Sequence, residues 1–391
     1  MTGTHITQFN LGLDSSCVFL PAERDADHSS CVTGTLQFHL SQPIWVKGIK
    51  VALRGNLRLP RGEFSIWEPF HEAVTLQLQH QLAASRTLSS FRLPAGKYQF
   101  PFEIPVSKYG LETLTGPSHE YHTYQVDGII ERKFSKDAIV SQPVRIYRSF
   151  DLEEMERWQY SSPCSIEKQW DGKIQYSVTI PDQNMPFGST FPVEFWFAPL
   201  TKGLKIERIR IQIIERHELK IIPTAAEAVQ YNLRFFKSNK KHTVLSGAYY
   251  YDDSTADAQP LEDELCTIKS IRLPQRLHEC TQNMDSGMIK IDHELIFSVE
   301  LRNADGHLSM ISGVMPIYIH MSPTVITKDG AVHGKDLQQL QIDQNPPPLY
   351  GDHLKDSMLV ELSNICSQMG LEDAGNVPDY ETAIRTVAVE H

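Results

Sequence analysis

The residues of this chain that most invite a chemical reading are Asn345-Pro346-Pro347-Pro348-Leu349-Tyr350-Gly351-Asp352. Three consecutive prolines fix φ and remove three backbone donors, so the segment is expected as an extended polyproline II rod. A rod of this kind is ordered before it is bound, and a partner that grips it loses little conformational entropy. Aromatic-lined grooves of WW and SH3 domains take such rods. Pro347-Pro348-Leu349-Tyr350 has the PPxY order that suits a WW domain, with the proline rings in an aromatic slot and the tyrosine in a side pocket. The same run would also serve as a plain spacer. Further on, Val377-Pro378-Asp379-Tyr380 is a degenerate copy in which valine stands where the first proline would be.

Catalytic and metal chemistry find less footing. The GxSxG, HExxH, GxxxxGK[ST] and GxGxxG patterns are all missing, so no enzyme is expected. His119-Glu120-Tyr121-His122 and His278-Glu279-Cys280 invite a metal reading. On an alternating strand, however, positions 119 and 122 point to opposite faces and no second ligand pair lies near in sequence, so no metal and no cofactor are expected. Six cysteines (Cys17, Cys31, Cys164, Cys266, Cys280, Cys366) include no CxxC pair, against both a disulfide framework and a zinc finger. With no basic-then-apolar pattern at Met1–Asn10 and no Asn-x-Ser/Thr, the reading is a protein of a reducing compartment. No apolar run approaches the roughly 18 residues of a membrane span. A net charge of −11 disfavours general nucleic-acid binding.

The elements that must carry these motifs read as strands. Thr33–Leu40, Val46–Leu57, Glu72–Leu82, Tyr98–Pro105, Tyr121–Arg132 and Ala138–Tyr147 alternate apolar and polar residues, separated by turn signals. Pro101 and Pro105 suit an edge strand or the ends of one, where N–H groups can be spared. After a charged connection, alternation restarts at Gly172–Pro181, Phe191–Ala198, Leu204–Ile214, Ile268–Leu273, His293–Leu301 and Gly313–Met321. Within Leu204–Ile214, Ile209, Ile211 and Ile213 face one way and Arg208, Arg210 and Gln212 the other. Residues 237 to 262 read as a polar, flexible insertion. The fold expected is all-β: two immunoglobulin-like β-sandwiches, 1–150 and 166–325, joined by 151–165. The halves share a plan, with Tyr98–Ile104 and Glu294–Leu301 as corresponding strands. From 326 to 391 the chain carries 11 acidic and 4 basic residues, a net −7, and is expected as a largely disordered acidic tail. Within it Leu354, Met358, Leu362, Ile365 and Met369 fall at helical spacing over 352–370, either docked on a sandwich or kept for a partner.

Several stretches resemble a known family. Leu93-Pro-Ala-Gly-Lys-Tyr-Gln-Phe-Pro-Phe-Glu-Ile-Pro105 is similar to a strand of arrestin N-terminal domains. Gly172–Pro181, Pro199–Ile206 and Phe297–His307 resemble the C-terminal domains of fungal α-arrestins, and the resemblance spans about 5 to 323. It implies an arrestin fold and a non-catalytic adaptor. Such an adaptor brings WW-domain, HECT-type ubiquitin ligases to plasma-membrane transporters and permeases, which are then ubiquitylated and internalised. Some filamentous-fungal members are connected with carbon catabolite repression. The resemblance also implies a cytoplasmic protein recruited to plasma membrane and endosomes. Ligase binding would fall on Pro347, Pro348 and Tyr350, and on Val377, Pro378 and Tyr380. Family members are often ubiquitylated themselves, with Lys168, Lys173, Lys237, Lys240 and Lys241 as candidates here. Ser162 before Pro163 is a possible phosphorylation site. Two other functions fit an arrestin-like body: a cargo-sorting scaffold of a coat, or a signalling scaffold that grips phosphates with Arg54, Arg58, Arg61, Lys205, Arg208 and Arg210.

Overall fold

The structure is a computed structural model that describes residues 5–21, 30–60, 70–117, 120–149, 163–223, 225–232, 234–251 and 260–334. The chain divides into two compact units, Met1–Leu337 and Gln338–His391. The second lies outside the described residues. The first is almost entirely β, with a single short helix, α1 (Ala225–Tyr231), among them.

Ten strands build the first sandwich: β1 (Ile6–Leu13), β2 (Cys17–Leu20), β3 (Ser30–Leu40), β4 (Ile44–Pro60), β5 (Phe70–Ala84), β6 (Phe91–Leu93), β7 (Gly96–Val106), β8 (Leu114–Thr115), β9 (Glu120–Arg132) and β10 (Ala138–Arg148). One sheet runs β1-β3-β7 and the other β2-β10-β9-β4-β5, with β6 on β4 and β8 on β9. The second sandwich holds β11 (Cys164–Trp170), β12 (Ile174–Ile180), β13 (Asn184–Pro186), β14 (Thr190–Pro199), β15 (Lys205–Ile221), β16 (Phe236–Tyr250), β17 (Leu265–Arg272), β18 (Met284–Asp285), β19 (Ile289–Arg302) and β20 (Leu308–His320). Its sheets run β11-β12-β14-β17 and β13-β20-β19-β15-β16, with β18 on β19.

These orders superimpose strand for strand. β2-β10-β9-β4-β5 matches β13-β20-β19-β15-β16, and β1-β3-β7 matches β12-β14-β17, with β11 added at the edge. In both, a short early strand pairs parallel with the last one, β2 with β10 and β13 with β20, while the long ladders are antiparallel. The shared plan expected from the sequence is therefore present, but between different strands. Tyr98–Ile104 lies in β7, whose counterpart is β17, and Glu294–Leu301 lies in β19, whose counterpart is β9.

Each core forms because alternation delivers one row of side chains inward. Ile209, Ile211 and Ile213 are fully buried and stand opposite Val299, Phe297 and Leu295, while Arg208 turns outward to pair with Glu300. Phe297 meets Phe195 and Tyr176 edge-on at centroid distances of 6.0 and 6.5 Å. The ring lies over Gly313, where an added Cβ would come within 2.5 Å of it, so this register needs glycine. β7 is an edge strand, as Pro101 and Pro105 require.

Three expectations are corrected. Most of 237–262 is not a flexible insertion: Phe236–Tyr250 is a strand paired along β15. It was obscured because β16 is a polar edge strand with no run of buried apolar residues. The tail does not begin at 326 either. Val325 and Ile326 are buried in the second core, Ile326 bridges Val332, and the described chain continues packed to 334. The first strand of the second sandwich already starts at Cys164, two residues before the expected boundary.

Candidate functional site: a buried polar joint between the sandwiches

β4 and β15 occupy equivalent places, and both outrun their own cores. Leu57 and Leu59 at the end of β4 meet Leu219 and Ile221 at the end of β15, with Leu114, Tyr121, Phe236, Ile289 and Ile291 closing a shared apolar cluster. Just before β15 enters that cluster, its inward row changes chemistry. After Ile209, Ile211 and Ile213 the same face carries Glu215 and His217, both fully buried. Across the ladder Glu215 stands directly opposite His293, also buried, on β19.

The Glu215 carboxylate is saturated with donors. One oxygen faces His217 Nε2 in a short hydrogen bond. The other accepts Thr281 N–H at 2.8 Å and lies 3.0 Å from His293 Nε2. Burial alone would raise its pKa, but the two histidine bonds and their charge outweigh burial and hold the carboxyl at about 2. Cys280 Sγ lies 3.7 Å from His293 Nε2, and burial, aided by the Glu215 charge, pushes the thiol well up. His217 Nδ1 is 2.7 Å from the Tyr121 hydroxyl, and that contact crosses from the second sandwich to the first.

More bonds cross nearby. Gln282 Nε2 donates to Thr113 O at 2.9 Å and to Glu112 Oε2 at 3.4 Å. Thr115 Oγ1 donates to Leu277 O at 3.1 Å, and Ser16 N–H donates to Lys328 O at 2.7 Å. The loop that receives Gln282 is itself fixed by His122, whose Nδ1 is 2.9 Å from Glu112 O and whose Nε2 is 2.7 Å from Thr75 Oγ1. Burial drives the His122 pKa down to about 4, so its ring is neutral near pH 7. Buried polar groups of this kind fix one geometry, because any other leaves donors and acceptors unpaired at about 1–3 kcal/mol each. The joint ties the two sandwiches together within one compact unit, and Glu215, His217, Cys280 and His293 are all buried in it.

The sequence-predicted site residues fall elsewhere. Pro347, Pro348, Tyr350, Val377, Pro378, Tyr380 and the helical spacing over 352–370 lie outside the described residues. Lys168 on β11 and Lys237 and Lys241 on β16 are exposed, and Lys240 is half-buried. Lys173 is half-buried and held by Asp171 at 2.9 Å and by the Trp170 ring. Of the basic residues, Arg61 lies outside the described residues, while Arg54 pairs with Asp127, Arg58 with Glu72, and Arg208 with Glu300, on two different sandwiches. None of the described cysteines is in a disulfide. His122 serves the 111–113 loop, whereas Cys280, set aside with His278 and Glu279, is brought to Glu215 and His293 from distant sequence. Alternation continued past Ile214 would have placed Glu215 and His217 inside; no local signal points to Cys280.

Two tandem sandwiches of one strand plan, locked by a buried joint, define a two-domain β-sandwich scaffold of the arrestin type. The profile of the arrestin (or S-antigen) C-terminal domain matches residues 170–324. The probable HECT-type ubiquitin ligase-interacting protein creD of Aspergillus terreus is 32% identical over 409 residues, covering 100% of this chain and 68% of that protein. The HECT-type ubiquitin ligase-interacting protein creD of Emericella nidulans is 30% identical over 378 residues, and the probable creD of Aspergillus oryzae 31% over 380; each match covers 92% of this chain and 61% of the relative. The chain thus spans about two thirds of the length of these curated relatives. It belongs to the arrestin family, among the arrestin-related proteins that include these fungal creD proteins.

Proposed function

We propose that this protein is a non-catalytic adaptor that recruits a WW-domain, HECT-type ubiquitin ligase and directs it to membrane transporters or permeases. The observation that carries the proposal is the conjunction of an arrestin-type body with Pro347-Pro348-Leu349-Tyr350 in the acidic segment beyond it. The relatives, named for interaction with a HECT-type ligase, support the same reading. The folded body chooses the cargo, and the polyproline rod takes an aromatic groove of the ligase with little entropy loss. Val377-Pro378-Asp379-Tyr380 supplies a second, weaker anchor, and two linked motifs on tandem WW domains gain roughly 10² to 10⁴ in avidity. Cargo ubiquitylation then leads to endocytosis. The adaptor works from the cytoplasm, at the plasma membrane and endosomes, in a pathway that bears on carbon catabolite repression.

A coat-type sorting scaffold would have no use for the motif. A phosphate-gripping scaffold would need free cations, and Arg54, Arg58 and Arg208 are already paired with carboxylates. The test is co-purification from cells of the intact chain against its Pro348→Ala/Tyr350→Ala form. Loss of a HECT ligase with retention of a permease is the expected result; retention of the ligase would contradict the proposal.

A further inference from the structure

We propose that Glu215, Cys280 and His293 form a binding site for one divalent transition-metal ion, with Zn²⁺ the ion their chemistry fits best. One carboxylate oxygen, the Cys280 Sγ and a His293 ring nitrogen all lie within 4.8 Å of one another, and all three residues are buried. None of them is far from its place by chance: Glu215 and His293 are register partners on paired strands, and Cys280 comes from the segment that closes over them.

The hydrogen bonds around His293 orient its ring for a cation at this point. Asn283 Oδ1 accepts Ile319 N–H at 2.7 Å and also faces His293 Nδ1 at 2.7 Å. A carbonyl oxygen can only accept, so the ring hydrogen sits on Nδ1. Nε2 is the nitrogen aimed at a carboxylate oxygen 3.0 Å away and a sulfur 3.7 Å away. Three ligand atoms thus converge on one buried point, where a ring hydrogen or a metal ion can lie between them.

A proton bridges nitrogen and oxygen and leaves the Cys280 thiol to its weak bond with Thr281 O at 3.4 Å, whereas a metal ion uses all three ligands. Zinc bond lengths of about 2.3 Å to sulfur and 2.0–2.2 Å to nitrogen and oxygen place tetrahedral ligands about 3.4–3.6 Å apart. The Sγ–Nε2 distance of 3.7 Å is already close to that, and the Nε2–Oε2 distance of 3.0 Å needs to open by only a few tenths. Thiolate and carboxylate together carry two negative charges, so a divalent ion makes the buried group neutral. Imidazole, thiolate and carboxylate are a set suited to Zn²⁺.

The surroundings are those that orient metal ligands. His293 gives its second nitrogen's hydrogen to a carbonyl oxygen, the arrangement that fixes a metal-binding tautomer. Thr281 N–H and His217 hold the carboxylate in place. A cavity of about 250 Å³, lined by Gln183, Asn283, Asp292, His293 and Tyr318, reaches the His293 ring. On binding, the Cys280 thiol releases its proton to solvent and its sulfur becomes a ligand. The ion would pin β15, β19 and the 280 segment where the sandwiches meet.

The test uses the full chain. Elemental analysis of protein produced with zinc in the medium should give about one zinc per chain. Chelation should lower the melting temperature, and Zn²⁺ should restore it. Co²⁺ in place of zinc should give a thiolate-to-cobalt charge-transfer band that Cys280→Ser abolishes, while His293→Gln weakens Co²⁺ binding by tenfold or more. Wild-type protein that is metal-free, gives no band with Co²⁺ and melts at the same temperature with and without Zn²⁺ would overturn the proposal and leave a shared proton in the site. A band unchanged in Cys280→Ser would overturn it too, by placing the metal on another cysteine.

Discussion

The buried ring of His122 makes acid stability a direct probe of the joint. The residue is 0% exposed on β9. Glu112 O can only accept, so His122 Nδ1 carries the hydrogen and Nε2 accepts from Thr75 Oγ1. Its titratable neighbours are Tyr124, edge-on at 4.7 Å, and Glu112, which offers its backbone carbonyl. A proton on Nε2 would break the Thr75 bond and bury a charge, which is why burial drives the pKa down to about 4. In the unfolded chain the value is about 6.5. Above about pH 6.5 both states are neutral and the contribution is complete. As pH falls from there towards 4, the unfolded chain takes up a proton that the folded chain refuses, so stability is lost at up to 1.36 kcal/mol per pH unit. Between pH 7.5 and pH 5.0 the loss from this one residue comes to about 2 kcal/mol. Urea unfolding at the two pH values, compared between wild type and His122→Gln, isolates it from other titrating groups. The variant should be less stable at pH 7.5 but lose about 2 kcal/mol less on acidification. Equal losses in the two proteins would refute the reasoning.

Two further outcomes are expected. Gln282→Ala removes the donor to Thr113 O and leaves that buried carbonyl unpaired, costing about 1–3 kcal/mol; hydrogen exchange should quicken at 111–116 and 277–283, on both sides of the joint, and unchanged protection there would contradict it. In a reconstituted ubiquitylation reaction, mass spectrometry should find modification at Lys168, Lys237 or Lys241 ahead of Lys173, whose ammonium is held by Asp171 and Trp170.

Much of this fold was legible because period two is a strong signal. The alternation of Ile209, Ile211 and Ile213 against Arg208 and Gln212 survives in the structure residue by residue. Pro101 and Pro105 marked an edge strand for a plain reason, the missing donors. β16 was not legible, since Lys237, Lys240, Lys241 and His242 on an edge strand look like a loop when only one side is paired. The buried joint was half legible. Glu215 and His217 sit at even steps from Ile213, and reading the apolar run as ending at Ile214 hid them. Their partners are set by tertiary structure: His293 is 78 residues from Glu215, Gln282 169 from Thr113, and no spacing rule connects them. The tandem strand plan was visible in outline, but which strands correspond follows only from the pairing order.

The central proposal rests on the segment around Tyr350, and the most direct measurement is the affinity of the purified full chain for a two-WW-domain fragment of a HECT-type ligase. Wild type should bind, Tyr380→Ala should bind more weakly, and Tyr350→Ala should lose most of the affinity, with the melting temperature of the sandwich body unchanged throughout. Undiminished binding by the Tyr350→Ala/Tyr380→Ala double variant would contradict the adaptor reading at its root.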